Sequence, residues 1–167
     1  MAGRLEDVRI LIVDDDEDVL EAMETALKSE GAQTQAVRDG NAAVAACADD
    51  PPDIVVLDMM LPRRSGFLVL EKIKGREDSP LVIMVTANEG KRHQAWAESL
   101  GADSYLLKPV PLERLIAVAV DLLDKDDAEA EEFEDRDDDG DDEPADEEPE
   151  PPASGGGKGR GGKKKGN

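Results

Sequence analysis

The sequence predicts a doubly wound α/β domain, a five-stranded parallel sheet with five helices, and three observations carry that prediction. Short β-branched runs alternate along the chain with segments whose apolar residues recur at helical spacing. The runs are too apolar for a sheet with one wet face, so helices must cover both sides. Aromatic residues make up only 2% of the chain, which leaves Val, Leu, Ile, Ala and Met to build an aliphatic interior.

The elements follow in order. Val8–Val13 is the first strand, and Val19, Leu20, Met23 and Leu27 recur on one helical face until Gly31 ends the helix. Gln33–Val37 reads as a weaker strand and Asn41–Ala48 as an Ala-rich helix. Ile54–Leu57, after Pro51 and Pro52, is a buried strand. Phe67, Leu70 and Ile73 mark a third helix, and Leu81–Val85 a fourth strand after Ser79-Pro80. A shorter helix over 91–100 closes at Gly101, Ser104–Leu107 is the fifth strand, and Leu112, Leu115, Ile116, Ala119, Leu122 and Leu123 stripe the fifth helix. Right-handed crossovers join such units, and ligands then bind beyond the carboxyl ends of the strands, at the switch point of the sheet.

The net charge of −21 argues against a nucleic-acid-binding body, because phosphate backbones would meet a mostly acidic surface. The charge is uneven. Residues 1–124 carry 13 Lys/Arg and 24 Asp/Glu, a net of −11, and residues 125–167 carry 7 and 17, a net of −10. From Asp124 to Pro152 the chain is acidic with scattered proline; from Ser154 to Asn167 it is Gly-rich with Lys158, Arg160, Lys163, Lys164 and Lys165. Such compositions bury too little to offset the entropy of ordering. The folded domain is therefore expected over 1–124, followed over 125–167 by a disordered tail, acidic and then Gly/Lys-rich, with no DNA-binding output domain.

Cys47 is the single cysteine, so no intrachain disulfide or cysteine-based zinc site is expected; it reads as a small buried hydrophobe in a reduced, cytoplasmic protein. Met1 opens no basic-then-apolar leader, and no run approaches the roughly 18 apolar residues of a membrane span.

The polar residues that follow the strands are Asp14, Asp15 and Asp16 after the first, Asp58 after the third, Thr86 after the fourth and Lys108 after the fifth. Carboxylates from Asp14, Asp15 and Asp58 gathered at one edge repel one another unless a cation sits among them, and hard oxygen donors select Mg2+, with Mn2+ able to substitute. Magnesium favours few protein carboxylates together with phosphate oxygens, which makes Asp58 a candidate nucleophile in phosphoryl transfer. Lys108 can place a point charge on the phosphate oxygens and Thr86 a hydroxyl. Asp16, with Glu17 and Asp18, reads instead as favouring the N-terminus of the first helix.

These residues stand in four ordered motifs: Ile12-Val13-Asp14-Asp15, Val56-Leu57-Asp58-Met59-Met60-Leu61-Pro62, Val85-Thr86-Ala87 and Tyr105-Leu106-Leu107-Lys108-Pro109. Over about residues 7–124 the chain resembles the receiver domain of two-component response regulators, whose fold is flavodoxin-like. The resemblance implies that Asp14 and Asp15 bind Mg2+, that Asp58 ligates the metal and accepts the phosphoryl group, and that the backbone carbonyl of Met60 completes the site. It implies phosphate contacts from Thr86 and Lys108, Tyr105 as a rotating aromatic, and a cis bond before Pro109. Two departures from the family pattern, Ser65-Gly66 and Val110, look tolerated.

The implied function is a single-domain response regulator in phosphorelay signalling, a switch rather than an enzyme. Its phosphoryl group would come from a histidine kinase, a histidine phosphotransfer protein or a small acyl phosphate. His93, the single histidine, is read as a solvated side chain and Trp96 as partly buried. Thr86 and Tyr105 lead toward the fourth helix, fifth strand and fifth helix, the expected surface for an unknown downstream protein. Two rival readings stand beside it. An aspartyl-phosphate phosphatase needs a second acid two residues after its nucleophile, where Met60 stands; a receiver-like binding module that needs no phosphorylation would not require the full set of chemical residues present.

Overall fold

The computed structural model describes residues 2–87 and 90–134. Its elements run β1 (Arg9–Val13), α1 (Glu17–Ser29), β2 (Gln33–Val37), α2 (Gly40–Asp49), β3 (Ile54–Leu57), α3 (Gly66–Lys74), β4 (Leu81–Thr86), α4 (Lys91–Ser99), β5 (Ser104–Leu107) and α5 (Leu112–Glu134). All strand pairings are parallel, in the order β2-β1-β3-β4-β5. The order reverses between β1 and β3, so the carboxyl ends of those two strands flank the switch point.

The period-two alternation of the strands divides the interior into two cores. Ile10, Ile12, Ile54, Val56, Ile83, Val85 and Leu106 face α1 and α5, where Leu20, Met23, Leu27, Leu115, Ile116 and Ala119 meet them. Leu11, Val13, Val55, Leu57, Val82 and Met84 face the other way, onto Ala43, Cys47, Phe67, Leu70, Ile73 and Ala97 of α2, α3 and α4. Cys47 packs there as a small hydrophobe, and burial pushes its thiol up to about 11.

Local chemistry sets the helix ends. Asp16 caps α1 by accepting from the backbone N–H of Asp18 and Val19, Asp39 caps α2 by accepting from Ala42, and Ser65 caps α3 by accepting from Leu68. Gly31, at φ +92, supplies the left-handed residue that turns the chain out of α1.

Four expectations need correction. Disorder was expected from residue 125, yet α5 continues to Glu134. Lengthening a helix already seeded by its packed first turns needs no new nucleus, Ala and Glu are strong helix formers, and Asp121 pairs with Lys125 one turn on at 2.8 Å. The rest of the expected tail, 135–167, lies outside the described residues. His93 is half-buried and stacks on Phe67 with ring centroids 5.9 Å apart. Trp96 is 54% exposed, although one ring face lies 4.4 Å from the same Phe67. Helical spacing shows that these residues share a surface but not that Phe67 of the neighbouring helix rises to meet it. Leu112, counted in the apolar stripe of α5, is itself exposed at the start of that helix.

Two predictions follow from how the scaffold is tied. Arg4 donates from Nη2 to Glu30 at 2.9 Å and from Nη1 to Glu113 at 2.8 Å, joining the N-terminal segment to the end of α1 and the start of α5. These contacts hold the Glu30 carboxyl down at about 2 from the ordinary 4.5. A depressed carboxylate stabilises the fold above its ordinary pKa, and that contribution is lost as pH falls from 4.5 through about 2. An NMR titration should give Glu30 a midpoint near 2 that returns toward 4.5 in Arg4→Ala. An unchanged midpoint would show that Arg4 does not hold the Glu30 carboxylate.

At Gly66, a Cβ would lie 2.2 Å from the Asp58 carbonyl oxygen and 2.6 Å from Met59 Cα, both backbone atoms with little room to give. Gly66→Ala should cost about 1–3 kcal/mol in urea unfolding, as overpacking does. A variant indistinguishable from wild type would mean that the loop after β3 yields freely.

Candidate functional site

The edge beyond β1, β3, β4 and β5 collects the chemistry. Asp14 follows β1, with its backbone N–H bonded to the Val37 carbonyl at 3.2 Å, and Asp58 follows β3, its N–H bonded to Val13 at 3.0 Å. The main-chain ladder therefore carries on one step past the strands and fixes where both carboxylates emerge. Lys108 arrives from the far side of the sheet, where its N–H donates to the Thr86 carbonyl at 2.9 Å.

Asp14 and Asp58 are buried, at 2% and 6% exposure, and Asp15 is exposed. Carboxylate oxygens from these three residues lie within 4.8 Å of one another. The Lys108 ammonium sits between the two buried ones, 2.5 Å from Asp14 Oδ2 and 2.9 Å from Asp58 Oδ2. The remaining oxygens are also held: Asp14 Oδ1 accepts from the Asp16 N–H at 2.9 Å, and Asp58 Oδ1 from the Met60 N–H at 3.1 Å.

Burial raises the Asp58 pKa above its ordinary value, against the opposing pull of Lys108 and the Met60 N–H. For Lys108 burial pulls downward, but hydrogen bonds to Asp14 and Asp58 outweigh it, and its pKa is raised. The lysine is therefore held charged by the carboxylates it separates. Three carboxylates still face one ammonium, a surplus of negative charge on hard oxygen donors that suits a divalent ion such as Mg2+.

Thr86 is fully buried at the end of β4. Tyr105 is half-buried against the α2/α3/α4 core, and burial raises its phenol pKa. The Lys108-Pro109 bond is cis. Met60 turns its side chain to solvent at 67% exposure, while its backbone belongs to the loop that holds Asp58. Asp16 is occupied as the cap of α1, as its position after the first strand suggested.

The departures are accommodated. Ser65 caps α3, a task that serine and aspartate share, and Val110 is partly buried against the α1/α5 core. Arg38 was not singled out from sequence: it follows β2 and its Nη2 donates to the Asp15 carbonyl at 3.2 Å. Its place directly after β2, at the same edge as the residues that follow the other strands, is the signal that marks it.

The chain matches the response regulator receiver domain model over residues 10–120. It is 37% identical over 122 residues to the response regulator MprA of Mycobacterium tuberculosis, covering 73% of this chain and 53% of that protein. It is 38% identical over 110 residues to MprA of Mycolicibacterium vanbaalenii, covering 66% and 48%. The chain thus spans about half the length of the curated relatives it matches. Among solved structures it is similar to a CheY-like receiver domain protein from Methanospirillum hungatei, with a TM-score of 0.71, 28% identity and coverage of 74% of this chain and 99% of that one. It is also similar to NtrX from Brucella abortus, with a TM-score of 0.72, 30% identity and coverage of 78% and 30%. A five-stranded sheet in the order 2-1-3-4-5, an acidic edge bridged by lysine, and this likeness in sequence together establish that the chain belongs to the response regulator receiver domain family.

Proposed function

We propose that the chain accepts a phosphoryl group on Asp58 in a magnesium-dependent phosphorelay and that the modified site changes a partner-binding face. The observation that most supports this reading is the Lys108 ammonium held between the buried Asp14 and Asp58 carboxylates. Asp14, Asp15, Asp58 and the backbone carbonyl of Met60 are the residues that would hold Mg2+, with Mn2+ able to substitute. Bound there, the ion neutralises carboxylates and phosphoryl oxygens alike.

An oxygen of Asp58 forms the new bond to phosphorus while the bond from phosphorus to the donor breaks, its electron pair leaving with the donor. That donor is a histidine nitrogen of a kinase or phosphotransfer protein, or the oxygen of a small acyl phosphate. Catalysis of such a transfer is largely positioning and charge neutralisation. The chain contributes both: the Met60 N–H and Lys108 orient the two Asp58 oxygens, and Lys108 then follows the phosphoryl oxygens. Thr86, at the end of the adjacent strand, offers its hydroxyl to the same group.

The register of β4 and β5 supports a route outward. Met84 pairs with Tyr105 and Thr86 with Leu107, so by the two-residue period Thr86 and Tyr105 belong to the same face of the sheet. A Thr86 hydroxyl drawn toward the phosphoryl group leaves space that the Tyr105 ring can take, a packing change between two states. Trp96, Leu107 and Leu112, exposed apolar residues of α4, β5 and α5, fit the output surface for a downstream protein. The free, buried Cys47 suits a cytoplasmic setting, and among the described residues no helix is long and apolar enough to cross a membrane.

With Mg2+ and a small acyl phosphate, the protein should gain one acid-stable, base-labile phosphate, and Asp58→Asn should abolish it. Undiminished labelling in that variant would move the acceptor elsewhere, and a wild-type protein that takes up no phosphate would favour a binding module independent of phosphorylation. Lys108 competes with a cation for Asp14 and Asp58, so Lys108→Ala should bind Mg2+ at least as tightly in calorimetry. In the same variant, the Trp96 emission change on adding a stable phosphoryl mimic should shrink. Weaker Mg2+ binding in Lys108→Ala would contradict the competition.

A further inference from the structure

A groove of about 1010 Å³ runs between α2 and α3, with none of Asp14, Asp15, Asp58 and Lys108 in its lining. Arg63, Arg64, Lys72 and Arg76 line it, against a single lining carboxylate, Glu71, and exposed Leu68 adds an apolar surface. These are four of the 13 basic residues of a region that carries 24 acidic ones. Local partners take only part of their capacity. Arg63 Nε lies 4.0 Å from Asp39, Arg64 Nε donates to Asn41 at 3.2 Å and Arg76 Nε to Asp78 at 3.4 Å. Among the described residues the terminal guanidinium nitrogens of all three make no hydrogen bond. Arg63 also adopts φ +68, a left-handed backbone that disfavours any residue with a Cβ, and 71% of its side chain remains exposed.

The same chain carries the complementary charge. Residues 135–150 contain 11 Asp/Glu and one basic residue, Arg136. Apart from the groove's four cations and Glu71, residues 1–124 carry 9 Lys/Arg against 23 Asp/Glu, a balance that repels such a segment, whereas the groove sets four cations against one lining carboxylate. Reach is sufficient: α5 ends at Glu134, and sixteen further residues span up to about 50 Å at about 3.3 Å each, against a radius of gyration of about 14 Å for a domain of this size. Tethering holds the segment at a high effective concentration, so weak, screened ion pairs are enough for transient docking.

We propose that the α2–α3 groove is the docking site of the chain's own acidic segment 135–150, held by Arg63, Arg64, Lys72 and Arg76. Arg63 and Arg64 belong to the loop that leads from Asp58 to α3, in which the Gly66 N–H bonds to the Met59 carbonyl at 2.9 Å. A docked segment therefore rests on the loop that carries the site, and its acidic charge adds to the field there.

The test uses the full chain with Cys47→Ala and Ala145→Cys, a nitroxide on residue 145, eleven residues and up to about 36 Å past the end of α5, and amide intensities read by NMR. At low salt, loss of intensity should concentrate in 41–48 and 63–76. It should vanish at about 1 M salt, where the Debye length is about 3 Å, and in a second protein that adds Arg63→Glu, Arg64→Glu and Arg76→Glu. Loss spread evenly over the domain, centred on Lys91 and Arg92, or confined to the basic block at 158–165 would overturn the proposal, as would loss that survives the three charge reversals. If a mixture of spin-labelled and isotope-labelled chains shows the same effect between molecules, the occupant is a second copy and intramolecular docking is wrong.

Discussion

The structure depends on one ammonium group set between two buried carboxylates. Asp14 and Asp58 emerge from adjacent strands at the switch point, close enough to repel each other in a site with little water to screen them. The Lys108 Nζ, 94 residues from Asp14 and 50 from Asp58 along the chain, relieves that repulsion by binding one oxygen of each. A single side chain, one residue past β5, thereby ties that strand end to those of β1 and β3. It also sets the charge state of the edge, since burial alone would lower the lysine's pKa and the two carboxylates reverse that. Removing either partner of such an arrangement leaves an uncompensated buried charge, which costs far more than the pair contributes when whole.

The scaffold makes this convergence possible because the backbone pairing continues past the strands. Val13 accepts from Asp58, Val37 from Asp14 and Thr86 from Lys108, so each chemical residue sits one ladder step beyond a regular pair. Gly66 then brings α3 directly against the Asp58 carbonyl, a distance that no side chain would permit. The position of the carboxylates is thus determined by main-chain hydrogen bonds on one side and by a missing Cβ on the other.

Much of this was legible in the sequence, for identifiable reasons. Three of the five strands, Gln33–Val37, Ile54–Leu57 and Ser104–Leu107, have the bounds expected of them, because apolar runs flanked by turn residues leave few alternatives. The acidic edge was legible once the strands were placed, since residues after parallel strands must meet there. What escaped were contacts between elements. Periodicity placed His93 and Trp96 on α4 but could not show that Phe67 of α3 stacks on both. Composition marked residues 125–134 as too charged to fold, but it measures burial and not helix extension, and an Ala/Glu-rich run prolongs a helix without being buried. Arg38 escaped for a simpler reason: an arginine after a half-exposed strand reads as any solvated cation, and only the fold brings its Nη2 to the Asp15 carbonyl.

The parity of the strands also decides which half of the molecule the site can influence. Met84 belongs to the core under α2, α3 and α4, and Tyr105 packs against that same core. Thr86 stands two residues beyond Met84 and so falls on that side of the sheet. Val85 and Leu106, their immediate neighbours, face α1 and α5 instead. A movement of the Thr86 side chain therefore presses first on the layer that holds Phe67, Ala97 and Tyr105, and reaches α1 only through the sheet itself. Close-packed layers repack between discrete arrangements rather than deform by degrees, and the two sides differ in enclosure: on the α4 side the buried Phe67 stacks on a half-buried His93 and on Trp96, which is 54% exposed, whereas Leu27, Leu115 and Ile116 on the other side are all enclosed.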